Sequence, residues 1–330
     1  MFNKPTVFII GAGASAECGL PTGSQLKEQI RSSAPMHAGE PSLYKILQGC
    51  VSDVAPYMKA GRELSETLAT FPSIDEALHW WRANPETVFL GKLAIAYHIL
   101  VAERSSPLRP TLSMDVDVLS KTWFSSFLSI ALSGLEREQA ERAFEKVTII
   151  NFNYDRSIEH YLYAALLSRA AVSVDTARRC IAGLRVIRPY GSIGKLEWQG
   201  QFGVPFGADD ASAKARQMAD NIRTFTEQIE DVTVLGEIRE AFESAHLVIF
   251  LGFGFHQQNL ELLKPQTHGT ARPLVRAVLA TTRGIDEKNN PMIADYLHDD
   301  LGLRLPPKLF PYDAGELLAQ LRPTITMVTA

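Results

Sequence analysis

The chain has 330 residues, enough for one large α/β domain or two modest ones. A hydrophobic fraction of 46% and a charged fraction of 21% belong to an ordinary folded protein and exclude a low-complexity or disordered one. The formal net charge of -4 gives no overall basic field, so direct nucleic-acid binding is not expected.

Taken in chain order, Thr6 to Ile10 is a β-branched and aromatic run ending in a glycine cluster, the pattern of a parallel strand covered on both faces. Residues 24–146 follow, with no strand pattern but several runs of helical period: Leu43 to Leu47, Ile74 to Trp81, Val88 to Leu100 and Trp123 to Leu132. A crossover helix needs about a dozen residues, so this stretch is expected to be a large helical insertion. Within it, Ser73 and Glu76 have the spacing of a helix-capping box, with Asp75 between them.

Strand patterns resume at Val147 to Phe152, Leu184 to Ile187, His246 to Leu251 and Leu274 to Ala280. Helical patterns at Ile158 to Leu167 and Val234 to Phe242 separate some of them, and Tyr312 to Leu321 reads as a closing helix with Asp313 as its cap. Strands alternating with helices predict an α/β fold: a Rossmann-like parallel sheet flanked by helices. It would be built from residues 1–23 and 147–330, with the insertion at 24–146. Arg178, Arg179, Arg185 and Arg188 form a local basic run, read as a solvated face or a phosphate-facing one.

Cys18, Cys50 and Cys180 are widely spaced and form no CxxC pair, so no structural zinc site of the usual spacing, and no metal, is expected. An odd count also argues against a disulfide framework and fits a reducing cytoplasm. Met1 to Pro5 lacks the pattern of a signal peptide, and no stretch reads as a membrane span, so the expectation is a cytoplasmic chain without membrane contact.

Chemistry concentrates where strands end. Gly11-Ala12-Gly13-Ala14-Ser15-Ala16 follows the first strand directly. Gly11 permits a tight turn, Gly13 lets backbone amides approach a pyrophosphate, and Ala16 allows the next helix to pack closely. A dehydrogenase would carry an acidic residue about twenty positions later, at the end of a second strand, to hold a ribose. Gln29-Ile30-Arg31-Ser32-Ser33 offers neither, which weakens the oxidoreductase reading.

A longer pattern replaces it. Gly11-Ala12-Gly13-Ala14-Ser15 with Gly19-Leu20-Pro21 resembles the sirtuin signature of a GAGxS loop and a later G-[I/L]-P. Asn151-Phe152-Asn153-Tyr154-Asp155 looks like the sirtuin T-Q-N-x-D segment, and Gly252-Phe253-Gly254 stands where sirtuins carry a Gly-Thr-Ser loop near the adenosine side of NAD+. With its helical insertion and its lack of zinc cysteines, the chain resembles the sirtuin-like NADase-type domains of bacterial antiphage defence systems more closely than the deacylase sirtuins. The resemblance implies NAD+ as substrate or ligand and an NAD+ glycohydrolase that releases nicotinamide and forms ADP-ribose. Without the zinc module that supports an acyl-lysine cleft, protein deacylation is disfavoured. A non-catalytic NAD+ or ADP-ribose binding subunit is the alternative.

By the same resemblance Asn153 orients ribose and water, Asp155 holds the nicotinamide carboxamide or caps the following helix, and Tyr190 stands in the place of the family's catalytic histidine. A phenol titrates near pH 10, so Tyr190 is a poor general base at neutral pH and a better positioning group. The implied cofactor-binding set is Gly11, Ala12, Gly13, Ser15, Pro21, Gly191, Gly252, Phe253, Gly254, His256 and Asn259. His256 and, less directly, His160 are the histidines within reach of such a site, and family members often carry an aspartate in the insertion, as Asp75 does here. An unregulated NADase drains the cell's cofactor, so control by homo-oligomerisation and by a protein partner encoded nearby is expected.

Overall fold

Six short strands form one sheet: β1 (Thr6–Ile10), β2 (Val147–Asn151), β3 (Arg185–Ile187), β4 (Leu247–Leu251), β5 (Ala277–Thr281) and β6 (Lys308–Phe310). Their order is β3-β2-β1-β4-β5-β6 and every pairing is parallel. This is an α/β, Rossmann-like sheet flanked by helices, seen in a computed structural model that describes residues 1–36, 43–109, 119–225, 227, 231–264, 275–301, 303 and 305–329. Leu274, the predicted start of the fifth strand, lies outside the described residues. The sixth strand was not predicted: three edge residues, one exposed and two half-buried, leave little hydrophobic pattern to read.

Period-two alternation places the sheet between two apolar layers. In β1, Val7 and Ile9 enter one cluster while Phe8 and Ile10 enter the other; in β4, Val248 and Phe250 oppose Leu247, Ile249 and Leu251. Between β1 and β2 the described residues contain helices and no strand. After the short α1 (Ala12–Ala16) come α2 (Gly23–Ser33), α3 (Leu43–Cys50), α4 (Ala55–Thr70), α5 (Ile74–Trp80), α6 (Pro85–Ser105) and α7 (Trp123–Leu132).

These helices serve both layers. Leu26, Ile30, Leu64, Leu78, Leu90 and Ile95 pack with Val7 and Ile9, whereas Trp123, Phe124 and Phe127 pack with Phe8 and Ile10 on the opposite face. Phe127 meets Phe8 edge-on with centroids 5.1 Å apart, a geometry favoured by aromatic quadrupoles.

By length and composition α6 could cross a membrane, contrary to the expectation from sequence that no stretch would qualify. Over half of its apolar window is buried inside the protein, and it carries Lys92 and Glu103, both paired with charges from other segments. Those are the contacts of a core helix. The basic run also resolves into separate pairs: Arg179 with Glu141, Arg185 with Glu240 and Arg188 with Glu159, while Arg178 is exposed. These arginines form no shared phosphate-facing surface.

Candidate functional site

Strand order reverses direction of growth between β1 and β4, and ligands of open parallel sheets bind in the crevice beyond the strand ends at such a point. A cleft of about 560 Å3 opens there, within the size range of small-molecule sites. Its floor is made by the loops after β1, β2 and β4, its far end by residues following β5 and β6, and its roof by the start of α5.

The glycine loop lines the cleft and also packs against the loop that leaves β4. Gly11 N–H donates to the Leu251 carbonyl (3.0 Å) and Gly13 N–H to the Gly252 carbonyl (2.9 Å). A Cβ on Gly11 would lie 2.5 Å from Gly252 O, and one on Gly252 would lie 1.9 Å from Ala14 N. Gly252 also has φ +57°, a left-handed conformation that favours glycine. The glycines therefore let two strand-end loops touch backbone to backbone. Gly13 and Ala14 already use their amides inside the protein, and Ala12 lies at the cleft surface.

Asn153 sits at the centre, buried just after β2. Its Nδ2 donates to Gly11 O (3.0 Å) and Ser15 Oγ (2.8 Å). An amide nitrogen has two protons, so both are consumed and Oδ1 is left as an acceptor. The predicted donor-and-acceptor role narrows to acceptor alone. Ser15 is correspondingly a buried support behind Asn153 and does not line the cleft. Asp155 lines it, yet one of its oxygens turns to the start of the helix Ser157–Ser168, accepting from Ser157 N–H (3.0 Å) and from the Ser157 hydroxyl.

Tyr190 lines the cleft with its ring against Phe152, and its hydroxyl donates to Asn259 Oδ1 (2.8 Å). Burial, with the Asp75 and Glu76 carboxylates nearby, pushes its phenol well above the ordinary range. Near neutral pH the phenol therefore keeps its proton. Asn259 is thereby held by Tyr190, and His256 stands exposed at the rim beside Gly254. Pro21 and Phe253 complete the predicted residues found here, Phe253 inside a cluster with Phe152, Phe250 and Phe255.

Two candidates are elsewhere. Gly191 lines a neighbouring cavity, where its φ of +68° and an antiparallel bridge to Ile222 turn the chain away from the cleft. His160 is buried, stacked on Phe206 at 4.2 Å and joined to the Leu108 carbonyl at 2.9 Å; burial lowers its pKa to about 4.

Sequence reasoning treated Asp75 chiefly as part of a cap, and that cap exists: Ser73 Oγ accepts from Glu76 N–H at 3.1 Å. Asp75 nonetheless enters the cleft wall and accepts a hydrogen bond from the Tyr154 hydroxyl. Burial raises its carboxyl from 3.8 to about 6, against the Tyr154 hydrogen bond that lowers it. Tyr154 belongs to the same loop as Asn153, so the insertion is joined to the strand-end machinery by a polar contact. At the far end, Thr281 Oγ1 accepts from Gly252 N–H (2.8 Å), and Asp313 caps the helix Ala314–Gln320 through Glu316 N–H (2.8 Å).

Fold and cleft together define an α/β protein with a ligand-sized crevice at the switch point of a parallel sheet. In comparisons with known proteins no family model matches the chain, and no curated protein matches it.

Proposed function

We propose that the cleft binds NAD+ and hydrolyses its nicotinamide–ribose bond, releasing nicotinamide and ADP-ribose. The observation that carries this reading is the pairing of Asn153 and Asp75 in one crevice at the β1–β4 switch point. Breaking this bond builds positive charge at the anomeric carbon, as in glycoside hydrolysis, and nicotinamide is already a good leaving group. Such a reaction asks for acceptors that orient water and tolerate a developing cation. Asn153 Oδ1 is one, with its geometry locked from behind by Gly11 and Ser15. Asp75, whose carboxyl titrates at about 6, takes the base role that Tyr190 cannot fill. The aromatic wall of Phe152, Tyr190 and Phe253 offers a flat apolar surface to a nicotinamide ring.

The sequence resemblance extends the proposal to an effector of antiphage defence, controlled through self-association or a partner encoded nearby. A second reading, a non-catalytic NAD+ or ADP-ribose binding subunit, draws on the part-buried Tyr190–Asn259 contact in the histidine's place.

NAD+ consumption by the purified protein, at several concentrations and with its genomic neighbour added, tests the first reading. Asn153→Ala is expected to lower turnover by at least about 100-fold while NAD+ still binds. Absence of turnover under every condition, with binding seen by calorimetry, would replace the NADase with the binding subunit. Absence of both would overturn each.

A further inference from the structure

A second cavity of about 570 Å3 lies behind the loop that carries Asn153. Its volume falls in the range of small-molecule sites, and nothing in the proposed NAD+ reaction uses it. Its walls come from Gly191–Lys195, from residues 199–204 and from the helix Ala215–Asp220 with the residues flanking it.

The charge on these walls is unbalanced. Arg188 is neutralised by Glu159 (2.8 Å), and Arg223 by Asp231. Lys214 donates to the Gly203 carbonyl (2.7 Å), and Lys195 is exposed; among the described residues neither has a carboxylate at ion-pair distance. Two ammonium groups without counter-charge on one concave surface attract an anion. Phe202, 67% exposed, stands on the same wall, and Gln217 and Asn221, both bearing side-chain amides, line the cavity too. An exposed ring stacks on a flat heterocycle, and amides pair with its edge through donor and acceptor together.

From this juxtaposition we infer that the second cavity is a binding site for a small phosphate-bearing nucleotide, with Lys195 and Lys214 on the phosphate and Phe202 on the base. The site is wired to the first. Arg188 Nη1 donates to the main-chain carbonyls of Asn153 (3.1 Å) and Asp155 (3.0 Å), and Ile193 N–H donates to the Tyr154 carbonyl (3.0 Å). The cavity wall is thus the reverse side of the Asn153–Asp155 loop, and a ligand there stiffens that loop. Binding stands independently of the proposed hydrolysis; only its consequence for turnover rests on that reading.

Calorimetric titration of the full chain with AMP, ADP and inorganic phosphate tests the assignment, with thermal melts to verify folding of each variant. Gly23→Trp narrows the first cleft at a position where an added Cβ meets nothing within 4 Å. The expected result is nucleotide binding that survives Gly23→Trp, is displaced by phosphate, and weakens at least about tenfold in Lys195→Glu/Lys214→Glu. The milder Lys195→Ala/Lys214→Ala pair should weaken it in the same direction. Binding that is lost in Gly23→Trp and kept in the lysine variants would put the ligand in the first cleft and overturn the assignment. No binding of any of the three probes to the folded wild type would overturn it too. Saturation with AMP should slow amide hydrogen exchange at residues 151–155; unchanged exchange there would remove the coupling between the sites.

Discussion

Asn153 and Asp75 illustrate how single side chains acquire a role from what surrounds them. Asn153 gives both amide protons to Gly11 and Ser15, and the direction of its remaining oxygen follows from that loss of freedom. Asp75 gains its proton affinity from burial. Its folded pKa of about 6 exceeds the 3.8 of the free carboxyl, so the folded state holds the proton more tightly than the unfolded chain does. The stability this contributes is fully present below about pH 4 and is lost as pH rises through about 6. Asp75→Asn is therefore expected to be more stable than wild type by about 1–2 kcal/mol at pH 8, with the difference vanishing near pH 4. Urea unfolding at the two pH values measures this, and equal stability at both would refute the buried, proton-retaining state. If Asp75 also serves as the base, NAD+ turnover in the wild type climbs through about pH 6, and the substitution removes that limb.

At the scale of elements, the decisive contact is between the turn from β1 into α1 and the turn leaving β4. It requires residues without a Cβ, because Gly11, Gly13 and Gly252 pack main chain on main chain. Gly252→Ala would bring a methyl group against Ala14 N and impose a left-handed conformation on alanine. A loss of about 3 kcal/mol is expected, visible as a lower urea midpoint, together with weakened ligand binding because both loops floor the cleft. The start of α5 shows the limit of local reading. Ser73 and Glu76 announce a helix start correctly, yet Asp75 faces the cleft only because α4, α5 and α6 pack over one face of the sheet.

In the whole molecule, the helices between β1 and β2 act as cover for both faces of the sheet. One buried ion pair fastens them to the rest: Arg156, beside Asp155, donates from Nε to Glu103 of α6 (3.0 Å) and reaches the carbonyls of Lys195 and Val204. Glu103 has no exposed surface and also accepts from Gly207 N–H (3.1 Å). Removing one partner of such a pair leaves an uncompensated buried charge, so Glu103→Gln is expected to cost about 3–5 kcal/mol. Denaturant unfolding tests this, and a change below about 1 kcal/mol would show the pair to be dispensable. Because Arg156 also holds the chain at Lys195 and Val204, both of which border the second cavity, the same substitution should weaken nucleotide binding there.

The sequence by itself determined what depends on neighbours along the chain. Apolar runs marked five of the six strands, helical period marked the insertion, and the glycine turn and the Asn153–Asp155 segment marked where strands end, since each signal lies within a few residues. Only the tertiary structure decided which strand ends meet, because that follows from strand order, and strand order depends on contacts between residues over a hundred positions apart. It moved Gly191 and His160 out of the cleft, brought Asp75 into its wall and set Tyr190 on Asn259. Burial and partnership, which fix proton affinity and the direction of a hydrogen bond, arise only once distant segments close around a side chain.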